Sequence, residues 1–366
     1  MDQRLSRHAE VVMRYSLGLK AGDRLLIQGG DYALPLIKEC FRRALALGAF
    51  PYAQLANEEL QEMMLRYGSQ EQIKFLPPHE LEAVRQCDAL LTIMGSINPR
   101  MLSSIPSQRM KWRSQGIAEY RQIFFERMAQ GELRWCGTLH PYWGNAQEAE
   151  MSLAEYQDFV YHCCMLDEPD PVAHWREVAE GQERICRLLD GVEKMRIIGD
   201  GTDLTLSVGG RKWINCCGHE NLPDGEVFTS PVEDSAQGRI RFSFPGIYGG
   251  REIEDIRLEF DKGRVVGAEA AKGGDLLEQI LETDPGARRL GEVAVGTNYH
   301  ISRFTRNMLF DEKIGGTVHL ALGQGFAEAG GQNRSSIHWD MLCDLRHGGA
   351  ILADGREIYR DGRFVI

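Results

Sequence analysis

His338 and Asp340 stand two residues apart in SSIHWDMLCDL. On a strand, that spacing puts both side chains on one face of a sheet. An imidazole and a carboxylate pointing together suit a first-row divalent metal. His319 lies in GGTVHLALG, again strand-like between glycines. Glu226 lies in NLPDGEVFTSP and Glu292 in RLGEVAVGTN. Both acids have small or apolar neighbours, which is unusual for solvated surface. Gly225 and Gly291 immediately before them permit close backbone approach. Asp311-Glu312-Lys313 adds acids just upstream of His319. Each of these signals is weak alone. Together, two histidines and several carboxylates in glycine-bounded β context predict a divalent metal site. Nitrogen and oxygen donors favour Zn, Co or Mn over a thiolate zinc site, and carboxylate-rich sites commonly hold two ions.

Other chemistries fare worse. The nine cysteines are an odd number, and Cys163-Cys164 and Cys216-Cys217 are adjacent pairs. With no CxxC, neither a disulfide framework nor a zinc ribbon is expected, and a reducing, cytoplasmic compartment is. No GxSxG elbow supports a serine hydrolase. Nothing pairs Cys217 or Cys343 with a histidine as a nucleophilic dyad. Gly29-Gly30 after a strand is not a GxGxxG or a GxxxxGK[ST] phosphate loop.

The elements that must position these residues fall into two textures. In the first half, strand-like runs at Arg24 to Gln28, Pro51 to Leu55, Asp88 to Met94 and Leu133 to Leu139 alternate with helical patterns. Those patterns lie at Leu34 to Leu47 and His79 to Gln86. This alternation predicts an α/β domain with a largely parallel sheet. Ser152 and Glu155 form a prospective capping box, Pro169, Asp170 and Pro171 break the chain, and a helix is expected to run to about Leu189. From Met195 the texture changes to short β runs split by glycine turns, as at Leu204 to Val208, Arg239 to Phe244 and Ile256 to Phe260. Helical pattern returns at Gly274 to Glu282. Residues 191–366 are therefore expected to be a mainly antiparallel, β-rich α+β domain carrying the metal site, and residues 1–190 the α/β domain.

Composition sets the outer limits. A length of 366 residues suits two domains. Lys and Arg number 42 against 53 Asp and Glu, a net charge of -11, which disfavours a nucleic-acid partner. No run of about 18 apolar residues predicts a membrane span, and MDQRLSRHAE lacks a signal-peptide core.

The segments LPDGEVFTSPVEDS, GEVAVGTN, MLFDEKIGGTVHLALG and SSIHWDMLCDL, in that order, resemble the M29 metallo-aminopeptidases, the thermophilic aminopeptidase T or S group. The strong match covers roughly Asn221 to Ile366. The resemblance implies a cocatalytic pair of divalent ions (Zn, Co or Mn) held by Glu226, Glu292, Glu312, His319, His338 and Asp340. It makes Glu226 and Glu292 the catalytic glutamates, Glu292 the bridging one. It also implies short peptide substrates cleaved at the N-terminal bond, a homodimer, and an N-terminal domain that helps to wall the cavity. One position departs from the family. Where the family often has a tyrosine, seven residues beyond the HLALG histidine, this chain has Phe326. A phenylalanine cannot donate a hydrogen bond to a developing oxyanion. A weakly active hydrolase, or a non-catalytic metal- or peptide-binding relative, is therefore the alternative expectation.

Overall fold

The computed structural model describes residues 2–365. The chain divides into two compact units. One comprises the chain through Trp175 together with Gly218–Pro223, and the other comprises Arg176–Cys217 and the chain from Asp224 onward. The division thus falls inside the helix Pro171–Leu189, beside the expected single cut at residue 190. The return of Gly218–Pro223 to the first unit has a local cause: strand Asn221–Leu222 pairs in parallel with strand Arg134–Leu139.

The first unit is built on a five-stranded sheet in which every pairing is parallel. From one edge the strands are Phe50–Ala56, Arg24–Gly30, Ala89–Met94, Arg134–Leu139 and Asn221–Leu222. Central strands such as Leu25-Leu26-Ile27 and Leu90-Leu91 are buried, as expected for a parallel sheet covered on both faces. Helix Leu34–Ala46 starts with a proline in its first turn, and Gly48 ends the segment in the left-handed conformation. Ser152 and Glu155 do form a capping box at the start of helix Leu153–Cys163. The α/β expectation for this half is met.

The second unit is antiparallel. An eight-stranded sheet runs in the order Arg264–Glu269, Ile256–Asp261, Gln237–Phe242, Thr202–Ser207, Lys194–Gly199, Ala350–Ala353, Arg356–Arg360, Arg363–Phe364. A five-stranded sheet runs His338–Asp344, Thr317–Gly323, Leu290–Gly296, Glu226–Thr229, Ile214–Cys216. One core joins them. Ile197, Leu204, Ile240, Phe242 and Leu258 of the larger sheet share it with Val293, Val295, Val318, Leu320, Trp339 and Met341 of the smaller. Helix Gly274–Leu281 adds Leu277 and Ile280. The odd-even alternation of the smaller sheet therefore commits one of its faces to apolar packing and leaves the other for chemistry.

No disulfide joins the nine cysteines. Among the described residues no helix is long and apolar enough to cross a membrane.

Candidate metal centre

The register of the smaller sheet places the chemistry on its second face. Directly opposed residues of antiparallel strands point the same way. Ala294 opposes His319, so Glu292, two residues earlier, shares the face of His319. Gly296 opposes Glu226, which puts Glu226 on that face too. Ala321 opposes Asp340 and Gly323 opposes His338. Four neighbouring strands thus present Glu226, Glu292, His319, His338 and Asp340 to one side. A one-residue slip of any strand would turn its ligand into the apolar core.

The five side chains meet. His319 Nε2 lies 3.3 Å from Glu226 Oε2 and 3.7 Å from Glu292 Oε1. His338 Nε2 lies 3.1 Å from Glu292 Oε2 and 3.5 Å from Asp340 Oδ1. Glu292 therefore stands between the two imidazoles. His319, Glu226 and Glu292 are 1%, 5% and 5% exposed, whereas His338 reaches towards solvent. His338 Nδ1 sits 2.8 Å from the Gln324 carbonyl oxygen. Because a carbonyl only accepts, Nδ1 carries the proton and Nε2 is the ring atom turned to the carboxylates.

The electrostatics follow from this crowding. Burial pushes the Glu226 carboxyl up to about 8, against the pull of Lys313 and His319. Burial acts on Glu292 in the same sense, but hydrogen bonds from His319 and His338 outweigh it and hold that carboxyl low. Burial would lower both imidazoles. The carboxylates beside them win, so both are raised.

These groups fit a divalent cation. Glu292, His338 and Asp340 each bring one ligand atom within 4.8 Å of the others. Glu226 Oε2 and Asp340 Oδ1 are buried and make no hydrogen bond. A buried carboxylate oxygen without a donor is costly, and a cation among these atoms would remove that cost. The donor set, imidazole nitrogen with carboxylate oxygen, suits Zn, Co or Mn. The backbone carbonyl behind His338 is the kind of outer support that metal-bound histidines use.

The remaining sequence candidates fall nearby. Glu312 touches neither imidazole. It contacts the Lys313 ammonium, and its carboxyl is raised, chiefly by burial and also by the charge of Asp340. Asp311 is fully buried and accepts from the Thr305 backbone N–H at 2.7 Å and the Thr305 hydroxyl at 2.8 Å. It fastens its own turn. Phe326 packs edge-on against His338, with ring centroids 5.0 Å apart, and against Phe228 at 4.9 Å.

Four participants have no role in the sequence reading. Gln182, on helix Pro171–Leu189, donates to Asn215 Oδ1 (2.7 Å) and to the carbonyls of Cys216 (2.8 Å) and Glu226 (3.0 Å). It accepts from the Thr297 hydroxyl at 2.7 Å. Asp224 and Cys216 form, with Glu226, a second group of donor atoms within 4.8 Å of one another. Lys313 is fully buried against Glu226. Nearness in sequence to Glu226 and Glu312 is the only signal there for Asp224 and Lys313. Gln182 offered none.

The chain is similar along its length to known proteins. The aminopeptidase 2 of Geobacillus stearothermophilus is 26% identical over 99% of this chain and 98% of its own length. The aminopeptidase T of Thermus thermophilus is 26% identical over 98% of this chain and 95% of its own. Aminopeptidase AmpS of Bacillus subtilis is 26% identical, covering 99% and 98%. The solved structure of wild-type AmpT from Thermus thermophilus has the same fold, with a TM-score of 0.87 at 24% identity, covering 100% of this chain and 99% of that one. The profile of the thermophilic metalloprotease (M29) family matches residues 1–364. With that match across nearly its whole length, the chain belongs to the M29 thermophilic metalloprotease family.

Proposed function

We propose that this protein is a metal-dependent aminopeptidase that hydrolyses the N-terminal bond of short peptides at the carboxylate–imidazole face of the smaller sheet. The observation that carries the reading is the convergence of Glu226, Glu292, His319, His338 and Asp340 from four strands. The names of the relatives agree with it. Glu292, His338 and Asp340 would hold one divalent ion, and Glu226 with His319 a second, Glu292 being shared. Bound there, such ions would acidify water and polarise a carbonyl.

The chain's own groups do the rest. The Gln324 carbonyl holds the His338 ring in the orientation that presents Nε2. Glu312 touches no imidazole and has a raised carboxyl, so it is the group suited to hold a proton and pass it to the leaving amine. A carboxylate beside the ions would hold the free α-amino group, which would confine cleavage to the first residue. Phe326, backed by Phe228, covers one side of the His338 ring.

Glu292→Gln tests the reading. It should lose divalent metal and turnover while the circular dichroism spectrum is kept; unchanged turnover would contradict it. Phe326 beside His338 is the one observation favouring a second reading, a metal- or peptide-binding relative with little catalysis. Tight metal binding without turnover of any amino-acyl anilide or dipeptide would support that.

A further inference from the structure

Lys313 follows Glu312 in the turn before strand Thr317–Gly323, and its side chain is wholly out of solvent. Nζ lies 3.4 Å from Glu226 Oε1 and also contacts Glu312 Oε1. Asp224 adds to the negative field around it. An ammonium carried into a protein interior is tolerated only when paired there, and here three carboxylates surround it.

The face of the sheet has two ends that resemble each other as donor sets. At one end stand Glu292, His338 and Asp340, and at the other Cys216, Asp224 and Glu226. They differ in what they face. At the first end the carboxylates meet imidazole nitrogens, which are themselves metal ligands. At the second they meet an ammonium, which has three donors and no lone pair to give. The contact with Lys313 also divides the labour within Glu226: Oε1 goes to the ammonium, and Oε2, without a hydrogen bond, turns to His319.

We propose that Lys313 is a built-in cation that takes the cation position at the Cys216–Asp224–Glu226 end and so confines divalent metal to the histidine end of the site. This rests on the metal centre proposed above. The charges agree with it. Asp224, Glu226, Glu292, Glu312 and Asp340 bring five negative charges; Lys313 and two divalent ions bring five positive ones. A third divalent ion beside Lys313 would leave an uncompensated surplus. Replacing Lys313 by a neutral side chain opens a carboxylate–thiol pocket that favours one.

The test counts metal. The full chain is stripped with a chelator, reloaded with Co²⁺, freed of unbound ion by gel filtration, and analysed by mass spectrometry of the metal and by absorption. The wild type should hold two ions per chain and show no thiolate-to-cobalt charge-transfer band. Lys313→Met should gain one ion and acquire that band through Cys216, and Lys313→Arg should stay at two. Asp224→Asn alone should keep two ions, because Asp224 balances Lys313 and does not ligate. A folded Lys313→Met protein with the wild-type count and spectrum overturns the proposal. So does loss of one ion in Asp224→Asn, and that arm decides the matter if Lys313→Met does not fold. A wild type that takes up no Co²⁺ overturns the metal centre itself and this proposal with it, which separates the two failures.

Discussion

Gln182→Ala is a sharp test of how the site is held. The two amide hydrogens serve three acceptors within 3.0 Å, so one is shared, the amide oxygen accepts from Thr297, and the residue is 3% exposed. A buried hydrogen bond is worth about 0.5–1.5 kcal/mol net, and orphaned partners cost more. The Cys216 and Glu226 carbonyls lie in paired strands and have a second lone pair, so the lower half of the range applies to them. The sum is about 3 kcal/mol. For a unit of this size that is a fall in melting temperature of roughly 6–12 °C. The loss is also directional. Strand Ile214–Cys216 is three residues long at the edge of its sheet, tied to the Glu226 strand on one side and to Gln182 by two of these bonds. Freeing it loosens the Glu226 backbone, so metal affinity should fall along with stability. Urea unfolding of metal-free wild type and variant, followed by tryptophan fluorescence, isolates the structural part. A cost below about 1 kcal/mol with unchanged Co²⁺ affinity would refute the reasoning.

Three further outcomes are expected. Glu312→Gln should lower kcat by about 10²–10⁴ while the metal count is kept; a variant that loses metal instead makes Glu312 a ligand, and one with normal kcat removes it from the chemistry. Phe326→Tyr should raise kcat, by as much as about 10²-fold if the hydroxyl reaches the oxyanion; no gain in steady-state turnover would mean that Phe326 only packs against His338. The first unit should weaken in mild acid through His8, which is fully buried and pairs with Thr138 Oγ1 at 2.7 Å. The Thr138 hydroxyl gives its proton to the Leu222 carbonyl, so His8 Nε2 must donate, and burial of Nδ1 without a hydrogen bond keeps the ring neutral. Burial lowers His8 to about 3. A histidine depressed below its unfolded value contributes stability above pH 6.5 that is lost as pH falls towards 3, about 2 kcal/mol of it by pH 5. His140, lowered to about 4 by burial, titrates in the same sense. His8→Gln should flatten the pH dependence of urea unfolding between pH 7 and 5, and an unchanged slope would show that His8 does not carry it.

Much of this molecule was legible in its sequence where residues obey a local rule. The strand runs at Arg24, Asp88 and Leu133 appear because buried parallel strands are short apolar runs bounded by turns, and the run at Pro51 appears as the exposed edge strand Phe50–Ala56. The β texture after Met195 appears for a different reason: its antiparallel strands alternate buried and exposed residues between glycine turns, as in Ile256–Asp261. The five converging site residues stood out because acids and histidines inside apolar strands pay for burial unless something compensates. Helices Ser107–Gly116 and Ala118–Ala129 were not legible: neither has a fully buried residue, so no apolar stripe marks them. Strand Asn221–Leu222 has two residues and no periodicity, yet it returns its segment to the first unit. Gln182 and Lys313 look like ordinary polar surface in the sequence. Their roles exist only once the helix and the turn are folded against the Glu226 strand.

The most direct measurement joins metal to reaction. The protein is stripped with a chelator, reloaded with Zn²⁺, Co²⁺ or Mn²⁺, and assayed on a panel of amino-acyl anilides and dipeptides beside their N-acetylated counterparts. Turnover should vanish on stripping, return with metal, and be confined to substrates with a free α-amino group. Full activity in the stripped protein, or equal cleavage of the acetylated substrates, would contradict a metal-dependent aminopeptidase.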